Sequence, residues 1–128
     1  MLKKKKKKKK AWSNSHLLLL WRKAILKKYD NRCVLCNNGN VPDLECHHIV
    51  KRRNKILRYD VKNGVPVCKY GCHQKIDSLE GIEFLNNFID FEYLKRYENM
   101  TYKDYLWQNL LTDNEFLKEC AENLKELL

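Results

Sequence analysis

Glu45-Cys46-His47-His48-Ile49-Val50 lies between two cysteine pairs, Cys33-Val34-Leu35-Cys36 upstream and Cys68-Lys69-Tyr70-Gly71-Cys72 downstream, and His73 follows the second pair at once. Three of the four histidines and five of the six cysteines fall within the 41 positions from 33 to 73. The chemistry is concentrated in the middle third of the chain. A tetrahedral structural zinc takes soft ligands at ~2.3 Å, usually as two close pairs from two turns. Cys33/Cys36 and Cys68/Cys72 supply two such pairs, the second with three intervening residues instead of two. The 31 residues between the pairs exceed the ~15–20 of a simple ribbon site, so a further element, carrying the histidine pair, is inserted between the knuckles. Cys46 and Cys120 are left over and read as packing residues.

The 128 residues fit one domain, and 44% hydrophobic content fits a modest core that a metal would help to hold. The polar stretch after the Lys3–Lys10 run and the short apolar run 17–21 match neither a signal peptide nor a membrane span. A reducing cytoplasm, with cysteines as metal ligands and no membrane partner, is therefore expected. Charge is uneven. Residues 1–76 carry 21 Lys and Arg against 4 Asp and Glu, whereas residues 77–128 carry 5 against 12. A basic first half is the footprint of a polyanion partner.

Residues 1–15 are expected to be a disordered poly-lysine arm. Leu17, Leu20, Trp21, Ala24 and Ile25 recur at helical spacing and predict a basic helix over 17–29, ended by Asp30-Asn31. Strands are expected over 44–50 and 64–68, with a polar basic loop over 51–62 between them. From His73 onward the pattern is helical, with a break or kink at Gly81, a separation at Asn99-Met100 and a capping box at Thr112-x-x-Glu115. On a strand, alternate side chains face opposite ways, so His47 and His48 have different tasks.

Together, Cys33-x2-Cys36, Glu45-Cys-His47-His48-Ile-Val, Asn63 fifteen residues after His48, then Cys68 and Cys72-His73 closely resemble the HNH nucleases of the His-Me finger, or ββα-metal, group. The resemblance runs from about Trp21 to about Asp77. It implies an α+β fold: a small ββα-metal (HNH) finger with a structural four-cysteine zinc site, preceded by a basic helix and followed by C-terminal helices. It implies that His48 is the general base, that His47 and His73 hold a divalent ion, and that Asn63 braces the loop and helps orient the base. Cys33, Cys36, Cys68 and Cys72 resemble the zinc ligands, and Asp77, one helical turn beyond His73, is a candidate further ligand. The extra residue in the second cysteine pair, and Lys51-Arg52-Arg53-Asn54 where many relatives carry proline and glycine, depart from the pattern.

The chemistry is coherent. A neutral imidazole accepts a proton from water at physiological pH, and a divalent ion (magnesium, manganese, or nickel or zinc given the imidazoles) stabilises the phosphate charge. Lys51, Arg52, Arg53, Lys55 and Arg58 grip the backbone on either side. The expectation is a metal-dependent DNA endonuclease, with nuclease domain 16–80 and a helical extension 81–128. The extension would pack on the domain, form a homodimer or bind a partner such as a phage packaging protein. The alternatives are a catalytically inactive, zinc-stabilised nucleic-acid-binding module and a secreted, disulfide-bonded basic toxin. The lysine-rich and asparagine-rich composition fits a phage or low-GC bacterial origin.

Overall fold

A computed structural model describes residues 12–128. Up to residue 11, the expected lysine arm lies outside the described residues. Its last positions are not an arm. Ser13 Oγ accepts a hydrogen bond from His16 N–H, and helix α1 runs Asn14–Lys28. A serine in this position satisfies one of the otherwise free N–H groups of a first turn, so the helix starts three residues before its first apolar position. At the other end Asp30 and Asn31 both adopt positive φ (55° and 58°), and Asn31 N–H donates to Leu26 O at 2.7 Å. Asp and Asn tolerate this left-handed turn better than other residues with a Cβ, and the chain leaves the helix there.

Two short strands follow, β1 (Leu44–His48) and β2 (Gly64–Cys68), paired antiparallel with Cys46 opposite Pro66 and His48 opposite Gly64. Val65, Pro66 and Val67 are all buried, because β2 lies against both α1 and the short helix α2 (Cys72–Ile76). A Cβ at Gly64 would run into Trp21 and Ile25 of α1. The close approach of helix to strand therefore depends on that glycine.

The segment from 51 to 62 corrects the expectation of a purely polar loop. Its lysines and arginines are exposed or half-exposed, but Ile56, Leu57 and Tyr59 are buried. Apolar residues on turns have no helix or strand period, so pattern reading overlooks them. The tail has the expected separation at Asn99-Met100 and the expected capping box at Thr112, with further breaks besides. It is four helices after α2: α3 (Leu79–Leu85), α4 (Phe91–Glu98), α5 (Tyr102–Gln108) and α6 (Asp113–Glu126). Each starts at a side chain accepting from the backbone three residues on: Ser78, Asp90, Thr101 and Thr112. Gly81 lies inside α3 and breaks nothing. A Cβ there would strike the carbonyls of Lys75 and Ile76 at the end of α2, so this glycine allows two helix ends to meet.

Two apolar clusters result. One contains Leu44, Leu57, Val65 and Val67 of the hairpin region with Ile76, Leu85 and Leu94 of the following helices and Ile89 from the connection between α3 and α4. The other joins Leu17, Leu20, Trp21 and Ile25 of α1 to Ala121 and Leu124 of α6, with Tyr59. The helical extension thus shares a core with the hairpin, and a boundary between residues 80 and 81 falls inside α3. The fold is α+β. Among the described residues no helix is long and apolar enough to cross a membrane.

Candidate metal centres and the histidine strand

The four cysteines come together. Single sulfur atoms of Cys33, Cys36, Cys68 and Cys72 all lie within 4.8 Å of one another, with Cys36 Sγ 3.4 Å from Cys68 Sγ. Sulfurs at ~2.3 Å from one tetrahedral ion stand ~3.8 Å apart, so this donor set fits a zinc ion. Local backbone geometry brings the two knuckles together. Val34 N–H donates to Pro66 O at 2.9 Å, which ties the first knuckle to β2, and Lys69 N–H donates to Asp43 O at 2.8 Å. The additional residue of the second pair is absorbed at Gly71, with φ 86° and ψ −73° and Cys72 N–H donating to Tyr70 O at 3.2 Å. This is a γ-turn of the rare positive-φ kind, which glycine enters at least cost.

The electrostatics of the cluster call for a cation. Burial opposes ionisation of Cys33, but N–H groups of Cys36, Cys68 and Leu35 point at its sulfur and bring the thiol down to about 7. Burial and the sulfurs of Cys36 and Cys33 push Cys72 up to about 12. Ionisation of Cys33 is thus favoured while that of Cys68 and Cys72 is opposed. A divalent ion would remove that conflict and deprotonate all four.

The histidines divide by face. His47 and His73 meet edge to face, ring centroids 5.1 Å apart, and His47 Nε2 lies 3.6 Å from Asp77 Oδ1. Glu45 joins them, its Oε1 in contact with His73 Nδ1. That oxygen is shielded from solvent and satisfies no regular hydrogen bond. Among the described residues only the four cysteines bring three or more such ligand atoms within 4.8 Å of one another; here the groups meet in pairs, His47 with Asp77 and His73 with Glu45. Glu45 was not among the residues expected from the sequence. The signal was available, since Glu45 stands two residues before His47 and must share its face of β1.

His48 faces the other way. Its ring lies flat on Trp21, centroids 3.9 Å apart and planes 10° apart, and Nε2 is 2.9 Å from Arg58 O. A carbonyl can only accept, so Nε2 carries the proton and Nδ1 of the neutral ring is the free acceptor. Burial lowers the pKa of His48; the Arg58 carbonyl opposes this, and the charges of Arg52, His47 and Arg58 reinforce it. Burial also lowers that of His47, against the pull of Asp77. Trp21 is itself fixed, its Nε1–H donating to Asp60 O at 2.9 Å.

Asn63 is fully buried, at 0% exposure. Its Oδ1 accepts from Val50 N–H at 2.7 Å, and its Nδ2 donates to Val50 O at 3.0 Å and Leu57 O at 3.1 Å. One amide therefore joins the end of β1 to the loop residue that precedes Arg58, whose carbonyl holds His48. Lys51, Arg52, Arg53 and Lys55 are exposed on the same loop, while Arg58 is half-buried with its Nε donating to Arg52 O at 2.7 Å. Protein-family models, curated proteins and solved structures all yield no match to the chain.

Proposed function

We propose that the chain is a metal-dependent DNA endonuclease of the HNH, or His-Me finger, type. The observation that carries this reading is the division of labour on β1. On one face His47 meets His73 and Asp77 while Glu45 meets His73, and His48, with a fixed tautomer, stands on the other. In this reading His48 Nδ1 takes the proton of the attacking water, and its depressed pKa keeps it unprotonated at neutral pH. Asn63 does no chemistry. It holds the loop so that the Arg58 carbonyl keeps the imidazole in register. Lys51, Arg52, Arg53 and Lys55 neutralise the strand's phosphates, and the scissile one spans the end of β1 between the two faces. His47, His73, Asp77 and Glu45 would hold a divalent ion, which would supply charge stabilisation for the phosphate and the departing oxygen. The four-cysteine set would hold structural zinc.

One observation favours a second reading, a zinc-stabilised nucleic-acid-binding module without catalysis. The His48 ring is stacked on Trp21 and turned away from the other histidines. The two separate in one assay. Supercoiled plasmid is incubated with zinc-loaded protein and, in turn, Mg²⁺, Mn²⁺, Ni²⁺ or added Zn²⁺. The nuclease reading expects relaxation or linearisation with at least one ion, and a loss of ~10²–10⁴ in rate for His48→Ala with DNA affinity retained. Binding that falls with salt but no cut under any ion establishes the binding module instead.

A further inference from the structure

The loop after β1 and the junction of α4 with α5 enclose a cleft of about 470 Å³. Its walls are joined by Asn54. Nδ2 donates to the carbonyls of Tyr97 (3.1 Å) and Glu98 (3.3 Å), and Oδ1 accepts from the N–H groups of Ile56 and Leu57. Three kinds of chemistry line the space. Lys51, Arg53 and Lys55 bring positive charge, Val50, Ile56, Met100 and Tyr102 apolar and aromatic surface, and Glu98 and Asn99 exposed polar groups. Tyr102 is a fixed wall: its hydroxyl donates to Asp113, its ring meets Phe116 edge to face at 5.4 Å, and Lys55 Nζ lies 5.5 Å from its centroid.

A patch built only to hold phosphate has no use for a carboxylate or an apolar wall. A nucleotide uses all three: cations for its phosphate, a flat apolar surface for the base face, and acceptor and donor groups for the base edge. Location narrows this further. A second cavity of about 280 Å³ shares Val50 and Glu98 with the cleft and includes Asp77 among its lining residues. The two lie side by side with Val50 and Glu98 lining both, and the second reaches Asp77, the neighbour of His47.

We infer that the cleft receives a single nucleotide, unstacked from its neighbours, in the strand whose adjacent phosphodiester lies toward Asp77. This rests on the nucleic-acid reading above and deepens it. The helical extension becomes part of the substrate interface, and the preferred substrate is a strand able to splay a base out of the stack. The Glu98 carboxylate suits paired N–H donors, which guanine presents at N1 and N2 and thymine does not.

The test is calorimetric titration of the 128-residue, zinc-loaded chain, with no other divalent ion, with inorganic phosphate, dGMP and dTMP at constant ionic strength. The expected result is that dGMP binds at least about tenfold tighter than phosphate, as one stacked base allows. Lys51→Ser/Arg53→Ser/Lys55→Ser weakens dGMP about tenfold, and Glu98→Gln removes most of the preference over dTMP. All four substituted side chains are exposed, and unchanged melting checks that the variants fold. Phosphate binding as tightly as dGMP, or a triple variant equal to wild type, overturns the inference. Protein that cuts plasmid but fails to bind dGMP sinks the cleft alone. Protein that binds dGMP but cuts nothing sinks the nuclease reading alone.

Discussion

The core under β1 and β2 and the core between α1 and α6 differ in what closes them. The first is flanked by four thiols and a carboxylate–imidazole cluster, and its strands are only five residues each. A two-stranded hairpin is marginal by itself in water. The second consists of Leu17, Trp21 and Ile25 set against Ala121 and Leu124, with no metal-ligating group among them. Apolar packing holds it, helped by hydrogen bonds from Trp21 to Asp60 and from Lys27 to Leu128. The candidate-site side chains stand beside the four-thiol cluster that could hold zinc, and the α1–α6 packing draws on no such cluster.

Removing the metal should separate the two regions most strongly. Structural zinc contributes ~10–16 kcal/mol of apparent binding energy in small domains. A strong chelator, or Cys36→Ser, is expected to abolish hydrogen-exchange protection in 44–48 and 64–68, while amides in α1 and α6 exchange later. Simultaneous loss everywhere, or protection persisting in the hairpin, would remove the contrast. Asn63→Ala attacks the same region without touching a metal ligand. It leaves Val50 N–H, Val50 O and Leu57 O without their partner. At ~1–3 kcal/mol for each group left unsatisfied, the expected loss in urea unfolding is about 3 kcal/mol or more. A loss below ~1 kcal/mol would mean that water replaces the amide.

The contrast also explains what the sequence could reveal. Ligand pairs are local: Cys33 and Cys36 must meet wherever their turn goes, and Glu45 to His48 must alternate on a strand. Those features are therefore legible from spacing. Long-range closure is not. Nothing in the order of residues says that Arg58 offers its carbonyl to His48, or that Trp21 of a distant helix covers the ring. Burial of Ile56, Leu57 and Tyr59 inside a basic loop escapes any periodicity. The separation at Asn99-Met100 was legible, whereas the helix starts at Ser78 and Asp90 were present as capping residues but concealed by apolar spacing that runs on across them.

Gly71→Ala sharpens the comparison from within the zinc knuckle. A Cβ at position 71 would meet no atom within 4 Å, yet φ there is +86°. The cost is therefore backbone strain alone, about 2 kcal/mol. It should appear as weaker zinc affinity in a competition titration, with the α1–α6 core unaffected. An alanine variant that binds zinc as tightly as wild type would show that the knuckle has another low-energy path.

The smallest effect lies at the seam between the two cores. Asp60 accepts from Trp21 Nε1–H through its carbonyl and from the Tyr93 hydroxyl of α4 through its carboxylate. Tyr93→Phe deletes the second link and keeps the ring against Tyr97. A half-buried hydrogen bond of this kind contributes about 1 kcal/mol at neutral pH. Burial, then the hydrogen bond to Asp60 and its charge, raise the pKa of Tyr93 above its ordinary value. The sign follows. Below pH ~10 the hydroxyl is protonated in both states and its contribution is complete. As pH rises through that value the unfolded chain loses the proton and the folded chain keeps it, so stability falls until the folded pKa is passed. Tyr102 and Cys120 are also raised, chiefly by burial, and they share the same alkaline decline. Urea unfolding at several pH values between about 8 and 11 should therefore show the wild type falling more steeply than Tyr93→Phe. The variant's deficit should narrow as the pH increases. Parallel declines would mean that the Tyr93 proton is not what couples the two cores to pH.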